Sequence, residues 1–194
     1  MREEDKLYSF VFRGLLAEQA LDHAGRGPRI VSPFMDSEVS RDLSIEYLDQ
    51  SFLTSAKRMA SVYAAVAAFE NSARRLVQTV LVDAVGENWW ETSVSQKIRS
   101  KAESRQIQEQ AVKWHTQRGQ DLINYTELGD LSNTIQNNWQ YFEPHLRMSI
   151  EWMKSVFDVI EKSRNVIMHS GVLEKEDIQR LGMNIRDWIK QVGA

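Results

Sequence analysis

The chain has 194 residues, 42% of them hydrophobic and 26% charged, which suits one folded domain and excludes collagenous, low-complexity and disordered chains. Because it contains no cysteine, it has no disulfide bond, thiol nucleophile or cysteine-based zinc site, and a reducing cytoplasm is its expected environment. The net charge of −3 argues against a strongly basic nucleic-acid binder, although it leaves a local basic face open.

The first part of the chain, residues 1–57, is predicted to hold an N-terminal helix, a loop and the start of a long helix. The N-terminal helix spans about Glu3–Ala24, and segment 25–40 contains the two prolines and two glycines that are typical of a loop. Residues 58–194 are predicted to form a helical bundle, and the two parts to make one compact domain. The longest stretch without charged or amide side chains, 59–69, is about half of a membrane span, so no membrane association is expected.

The clearest pattern in the chain predicts a long helix. Apolar residues recur at alternating spacings of three and four, which puts them on one helix face: Met59, Val62, Val66, Phe69, Ala73, Leu76 and Val80. The pattern extends back to Leu43 and ends at Gly86, which predicts a helix or kinked helix pair of roughly 40 residues. We expect this face to be buried within the chain, and a dimer seam is the alternative.

Four further helices are predicted: an exposed one at 89–115, a shorter one at 125–139, one at 145–161 opened by Pro144, and a last one from about Glu174. The inward-facing residues are Leu128, Leu131 and Ile135 in the second of these, Met148, Trp152, Met153, Val156, Phe157 and Ile160 in the third, and Ile178, Leu181, Ile185, Trp188 and Val192 in the last. No segment shows the alternation of apolar and polar residues that is typical of a β-strand. The predicted fold class is therefore all-α, an antiparallel helical bundle with an added N-terminal helical segment.

The residues with the most evident chemistry are Arg164, Asn165 and His169, which precede a predicted turn at Ser170 and Gly171. Cleavage of RNA by internal transesterification needs a base for the ribose 2′-hydroxyl and a cation on the phosphate. Histidine titrates near neutrality and can act as base or acid. Arginine stays charged and can bind two phosphate oxygens. Asn165 could orient the imidazole or bind the phosphate, and a helix end satisfied by a cation and a histidine is the alternative interpretation.

The sequence offers no local motif for a metal or a cofactor. There is no H-E-x-x-H, no P-loop, no G-x-G-x-x-G and no G-x-S-x-G. We therefore expect neither a metal nor a cofactor, and the chemistry proposed for Arg164 and His169 requires neither.

The motif R-N-x-x-x-H late in an all-α chain resembles that of the HEPN superfamily of helical domains, many of which are metal-independent ribonucleases. The similarity extends to segments 70–76, 86–90, 130–131 and 138–139, which resemble the HEPN branch related to a transcription-surveillance RNA endonuclease. The resemblance implies that Arg164 and His169 are the catalytic pair, with Asn165 as polar neighbour, in a dimer with a shared cleft. A His-x-Tyr ending, found in HEPN partners of nucleotidyltransferase antitoxins, is replaced by Ser170-Gly171, which argues against that subgroup.

Other polar residues are candidates for supporting roles. Glu70 and Arg74 lie one helical turn apart, and Glu161 lies one turn before Arg164, so each could orient the site or form a plain surface ion pair. Segment 97–118 has six basic side chains against two acidic ones. Such a segment could follow an RNA backbone and stack a base, or could simply be a solvated face. The candidates for RNA contact are Lys97, Arg99, Lys101, Arg105, Lys113 and Trp114.

The sequence thus predicts a metal-independent endoribonuclease, and by resemblance a defence or toxin effector that a partner protein could regulate. A non-catalytic helical module that binds RNA, a nucleotide or a protein is the alternative. Transesterification also needs an acid for the 5′-oxygen, and one motif supplies only one histidine. We therefore predict a homodimer, because a two-fold axis near His169 would bring two imidazoles into one cleft.

Overall fold

The computed structural model describes residues 37–192, and this part of the chain contains eight α-helices and no β-strand, which confirms the all-α class. The helices are α1 (Ser37–Asp42), α2 (Gln50–Val85), α3 (Trp89–Ser93), α4 (Gln96–Gln110), α5 (Leu128–Asn137), α6 (Trp139–Phe142), α7 (Ile150–Met168) and α8 (Lys175–Val192). Two short 3₁₀ helices lie at Ile45–Tyr47 and Leu122–Tyr125. The chain divides into two units, Met1–Leu48 and Asp49–Ala194. The helix predicted at 3–24 lies outside the described residues.

The described end of the first unit differs from the prediction in two ways. Residues 37–40 are helical, not part of a loop. The long helix does not extend back to Leu43, because Ser44 adopts a left-handed conformation (φ 52°) and a 3₁₀ turn follows it. Leu43 is also exposed, as are Tyr47 and Leu48.

The second unit is organised around α2. Its N-cap is Asp49, whose carboxylate accepts hydrogen bonds from the hydroxyl and the backbone amide of Ser51, and these bonds lower the pKa of the Asp49 carboxyl. The predicted stripe is confirmed: its residues are buried or, at Leu76, packed against the core. Gly86 ends the helix with φ 83°, as predicted.

Helix boundaries after α2 were predicted less well. The predicted helix 89–115 is two helices, α3 and α4, separated at Val94 and Ser95, and residues 111–121 are irregular. Trp89 and Trp90 are buried, and Asn138 donates a hydrogen bond of 2.8 Å to the Ser93 carbonyl, so α3 is tied to the core. The helix predicted at 125–139 is present as the shorter α5, because Tyr125 belongs to a 3₁₀ helix and Trp139 to α6; the three residues expected inward are buried.

Helix α7 begins later and ends later than predicted. Ser149, not Pro144, caps its N-terminus, and its side chain accepts from the amide of Trp152 at 3.2 Å. Met148 lies before the helix and is exposed. Because α7 continues to Met168, the motif residues Arg164 and Asn165 lie in its last turns and do not follow it.

The core lies where α2, α7 and α8 meet, with α5 against α2 and α7. Phe69, Phe157 and Trp188 pack with ring centroids 5.3–5.4 Å apart in tilted or edge-to-face arrangements. The apolar stripe of α8 is confirmed, with Leu181 and Trp188 buried. None of the helices within residues 37–192 has the combination of length and apolar character that crossing a membrane takes.

The turn after α7 fixes the direction in which the chain leaves the motif. The Gly171 amide donates to the Val166 carbonyl at 2.8 Å and the Ser170 amide to the Ile167 carbonyl at 3.1 Å, which is the Schellman arrangement. Ser170 occupies the left-handed position (φ 61°) where glycine is usual. Glycine follows at 171, where a Cβ would stand 2.8 Å from the carbonyl oxygen of Val166. The predicted turn is confirmed, and it makes His169 the C-cap residue of α7.

We expect Gly171→Ala to destabilise the protein by about 1–3 kcal/mol, because the new methyl group overlaps backbone that cannot move freely. The matched control is Gly182→Ala within α8, where a Cβ meets only the flexible end of Arg186 at 3.4 Å. That change should stabilise by up to about 1 kcal/mol through helix propensity. Urea unfolding followed by circular dichroism measures both. Equal stability of the two variants would contradict the steric account of the turn.

Candidate functional site

A polar cleft of about 440 Å³ opens beside the predicted catalytic arginine. Four arginines line it, and we call it the arginine cleft: Arg74 from α2, Arg105 from α4, Arg118 from the irregular segment 111–121, and Arg164 from α7. The other lining residues are Tyr63, Ala67, Glu70, Asn71, Asn124, Thr126 and Glu127. Four cationic and two anionic side chains line the cavity, and two further carboxylates, those of Asp130 and Glu109, pair with its arginines.

The carboxylate of Glu70 joins two of these arginines. Its Oε1 accepts from Nη2 of Arg74 at 2.5 Å, and its Oε2 lies 3.6 Å from Nε of Arg164. Arg74 also donates to the Thr126 carbonyl at 3.1 Å and to Asn71 at 3.1 Å. The supporting residues predicted at 70 and 74 thus stand together with Arg164, and the side chain of Glu70 is only 13% exposed.

Arg105, like Arg74, uses both of its Nη groups within the protein. Its Nη1 donates to the Tyr125 carbonyl at 2.8 Å and lies 3.4 Å from Asp130, while its Nη2 lies 2.7 Å from Glu127. Asp130 is buried and also accepts from the Glu127 amide at 3.1 Å, which caps the start of α5. Lys101 lies 3.8 Å from the same carboxylate. Two residues predicted to contact RNA, Lys101 and Arg105, therefore tie α4 to α5.

Arg118 reaches the cleft from a segment without regular structure. Its Nε donates to Glu109 at 2.6 Å, its backbone amide donates to the same carboxylate at 3.2 Å, and its guanidinium lies 5.4 Å from the ring centre of Tyr125. Desolvation opposes ionisation of Glu109, but the bonds from Arg118 and the charges of Arg118 and His115 outweigh it and lower the pKa of that carboxyl. Arg118 is one of the six basic side chains of segment 97–118, and nothing local in the sequence indicates that this segment runs to the cleft.

His169 and Asn165 are not among the residues that line the arginine cleft. Both are exposed at the C-terminal end of α7. A position five residues further along an α-helix lies roughly 140° around its axis, so Arg164 and His169 leave α7 on different sides. The structure thus brings Arg164 together with Glu70 and Arg74 and leaves His169 on the adjoining surface.

The remaining predicted residues lie elsewhere. The carboxylate of Glu161 packs against Gly129, where an added Cβ would stand 3.4 Å from Oε1, whereas the ion pair of Arg164 is with Glu70. Arg99 donates to Gln96 at 2.7 Å along α4. Lys97, Lys113 and Trp114 are exposed and do not line the arginine cleft; the indole of Trp114 is 85% exposed and packs edge-on against His115.

An apolar groove adjoins the arginine cleft and shares Tyr63 with it. The groove has a volume of about 630 Å³ and runs between the start of α2 and the end of α7. Phe52, Met59, Ile167 and Val172 contribute to its lining, together with Ser170 and Gly171 next to His169. Phe52 belongs to α2 but lies outside its buried stripe, as an exposed residue of this groove.

Comparison of the chain with protein-family models, with curated protein sequences and with solved structures returns no match. Membership of the HEPN superfamily therefore stays a prediction from the motif. Within residues 37–192, no group of three or more histidine, aspartate or glutamate side chains could hold a metal ion.

We expect Glu70→Gln to lower the free energy of unfolding by about 1–3 kcal/mol, because Arg74 and Arg164 both lose an anionic partner in a half-buried position. Asp158→Asn is the matched control, since Asp158 forms an exposed pair with Lys162 on α7 and should change stability by less than about 1 kcal/mol. Urea titration gives both values. A Glu70→Gln protein as stable as the control would show that this carboxylate does not hold the cleft together.

Proposed function

We propose that this protein is a metal-independent endoribonuclease that cleaves RNA by attack of the ribose 2′-hydroxyl, with Arg164 and His169 as its catalytic residues. The observation that carries the proposal is the position of Arg164, which Glu70 holds in a cleft lined by four arginines. Such a cleft attracts the phosphates of a nucleic acid, although the whole chain is acidic.

The proposed chemistry assigns one role to each residue of the motif. His169, exposed at the C-cap of α7, removes the proton of the 2′-hydroxyl, and the resulting oxygen attacks the adjacent phosphorus. Arg164 stabilises the charge that builds on the phosphate oxygens. The bond to the 5′-oxygen breaks, and that oxygen takes a proton from an acid. The products are a 2′,3′-cyclic phosphate and a 5′-hydroxyl. Asn165, exposed between the two residues, is available to bind the phosphate.

The acid comes, in this proposal, from a second copy of the chain. His169 lies outside the arginine cleft of its own chain, and an isologous dimer would set the two motifs face to face. The apolar groove next to His169 is the surface we assign to this contact, because Phe52, Met168 and Val172 are all more than 40% exposed there or beside it. A defence or toxin role under control of a partner protein belongs to the proposal by resemblance.

One observation favours the second candidate, a module that binds RNA without cleaving it. Because His169 does not line the arginine cleft, the cleft can take a phosphate without the imidazole taking part. The two candidates differ in a single measurable respect, which is whether His169 is needed for a change in the RNA.

We expect the purified protein to cleave mixed-sequence RNA in EDTA, and His169→Ala to lower the rate by about 10²–10⁴-fold because proton transfer is lost. Arg164→Ala should lower it by about 10²–10³-fold through lost stabilisation of the transition state. Gel electrophoresis measures the rate, and sequencing of the RNA ends identifies cyclic phosphate and 5′-hydroxyl products.

The matched control is His145→Ala, which removes an exposed histidine that precedes α7 and should leave the rate unchanged. Circular dichroism checks that each variant keeps its helices. Cleavage that appears only when magnesium is restored would refute the metal-independent mechanism. RNA binding without any His169-dependent cleavage would instead support the non-catalytic module.

Mixed dimers test the shared site. We expect a dimer of one Arg164→Ala subunit and one His169→Ala subunit, isolated through two different affinity tags, to recover part of the activity that neither variant has alone. The reason is that its cleft still holds one arginine and one histidine. Light scattering gives the oligomeric state. A chain that is monomeric at micromolar concentration yet fully active would overturn the dimer.

A further inference from the structure

The four arginines of the arginine cleft differ in what their terminal amines do. Both Nη groups of Arg74 and of Arg105 donate to, or pair with, oxygen atoms of the protein. Arg118 and Arg164 are each held through Nε only, by Glu109 and Glu70 respectively. No residue of the described range 37–192 accepts a hydrogen bond from their Nη groups. Two of the four guanidinium groups thus have both Nη groups available to a ligand.

A guanidinium held through Nε by a carboxylate is well suited to recognise phosphate. The hydrogen bond of 2.6 Å from Nε of Arg118 to Glu109 fixes the plane of that guanidinium, so little side-chain entropy is lost when its two Nη atoms bind two phosphate oxygens. Arg164 is drawn to Glu70 by an ion pair of 3.6 Å. Arg118 has a second restraint, because it packs over the ring of Tyr125. Arg118 and Arg164 come from different segments and line the same cavity, whose volume of about 440 Å³ is that of a small-ligand site.

The surroundings of these two arginines suit a nucleotide better than a bare anion. Tyr63 is 54% exposed at the boundary between the arginine cleft and the apolar groove, and its ring offers a surface on which a base can stack. Asn71 and Asn124 add amide groups to the lining. An unpaired base can reach such a ring, whereas a base stacked inside a duplex cannot.

We propose that Arg118 and Arg164 together form a phosphate-binding subsite for the backbone of single-stranded RNA, with Tyr63 as its stacking surface. The inference rests on the proposed function, because it names how the substrate of that same site is bound. Arg118 is the new element, since it lies 46 positions before Arg164 in the sequence and outside the predicted catalytic motif.

The test measures binding of a fluorescent 12-nucleotide single-stranded RNA by anisotropy, in EDTA, with the full-length chain. All proteins carry His169→Ala, so that the RNA is not cleaved. We expect Arg118→Gln to weaken binding about tenfold and to reduce the slope of log K against log salt by about 0.7, the value for one lost single-strand contact. Arg118→Lys keeps the charge but loses the two parallel Nη donors, so its affinity for the RNA should lie between those of the parent and Arg118→Gln.

Arg180→Gln is the matched control, because Arg180 pairs with Asp177 on α8 and does not line the cleft. Its affinity and salt slope should equal those of the parent. Inorganic phosphate is compared with unlabelled RNA at equal phosphate concentration, and only the RNA should displace the probe. Equal displacement by inorganic phosphate would overturn the assignment to the RNA backbone, as would unchanged affinity of a folded Arg118→Gln protein.

The outcomes separate this inference from the proposed function. If the unmutated chain does not cleave RNA but binding depends on Arg118, the subsite stands and the nuclease does not. If cleavage depends on His169 while Arg118→Gln binds RNA like its parent and, with His169 intact, cleaves RNA like the unmutated chain, the nuclease stands and the subsite does not.

Discussion

The candidate site depends on one carboxylate, that of Glu70. It binds Arg74 within α2 and Arg164 on α7, and Arg74 in turn reaches the Thr126 carbonyl just before α5. Three segments that are far apart in the sequence are thereby joined by one half-buried anion and two cations. An anion with this little exposure is stable only when it is paired, and the pairing sets the position of Arg164.

Carboxylates also pair with the other two arginines of the cleft, Arg105 and Arg118, but they occupy different atoms of each guanidinium. Asp130 and Glu127 take both Nη groups of Arg105 and so bind α4 to α5, whereas Glu109 takes only the Nε of Arg118. The pairing of Arg105 therefore holds two helices together and leaves neither of its Nη groups available to a ligand. The pairing of Arg118 orients its guanidinium and leaves both of its Nη groups available. The distribution of carboxylates, more than the number of cations, therefore decides which arginines have unpaired terminal amines among the described residues.

The sequence predicted what local periodicity controls and missed what distant contacts control. The buried faces of α2, α5 and α8 and the Glu70–Arg74 pair follow from helical spacing, which is visible in a single segment. The ends of α3 and α7 depend on Asn138 and on the Ser149 cap, which compete with an uninterrupted helical pattern. Arg118 could not be assigned to the cleft, because its irregular segment is directed by the bond from Tyr125 to the Gly119 carbonyl.

The cap of α7 explains why the motif residues do not share one surface. Arg164 is still within the helix, so its direction follows from the helical turn that faces α2. His169 is the C-cap residue, and the Schellman bonds of Ser170 and Gly171 turn the chain away immediately after it. In the proposed reaction the 2′-oxygen and the phosphorus are close neighbours in RNA, whereas the side chains of Arg164 and His169 leave α7 in different directions. The proposed mechanism therefore requires the RNA strand to lie across the end of α7, and that end borders the apolar groove to which we assign the second chain and its His169.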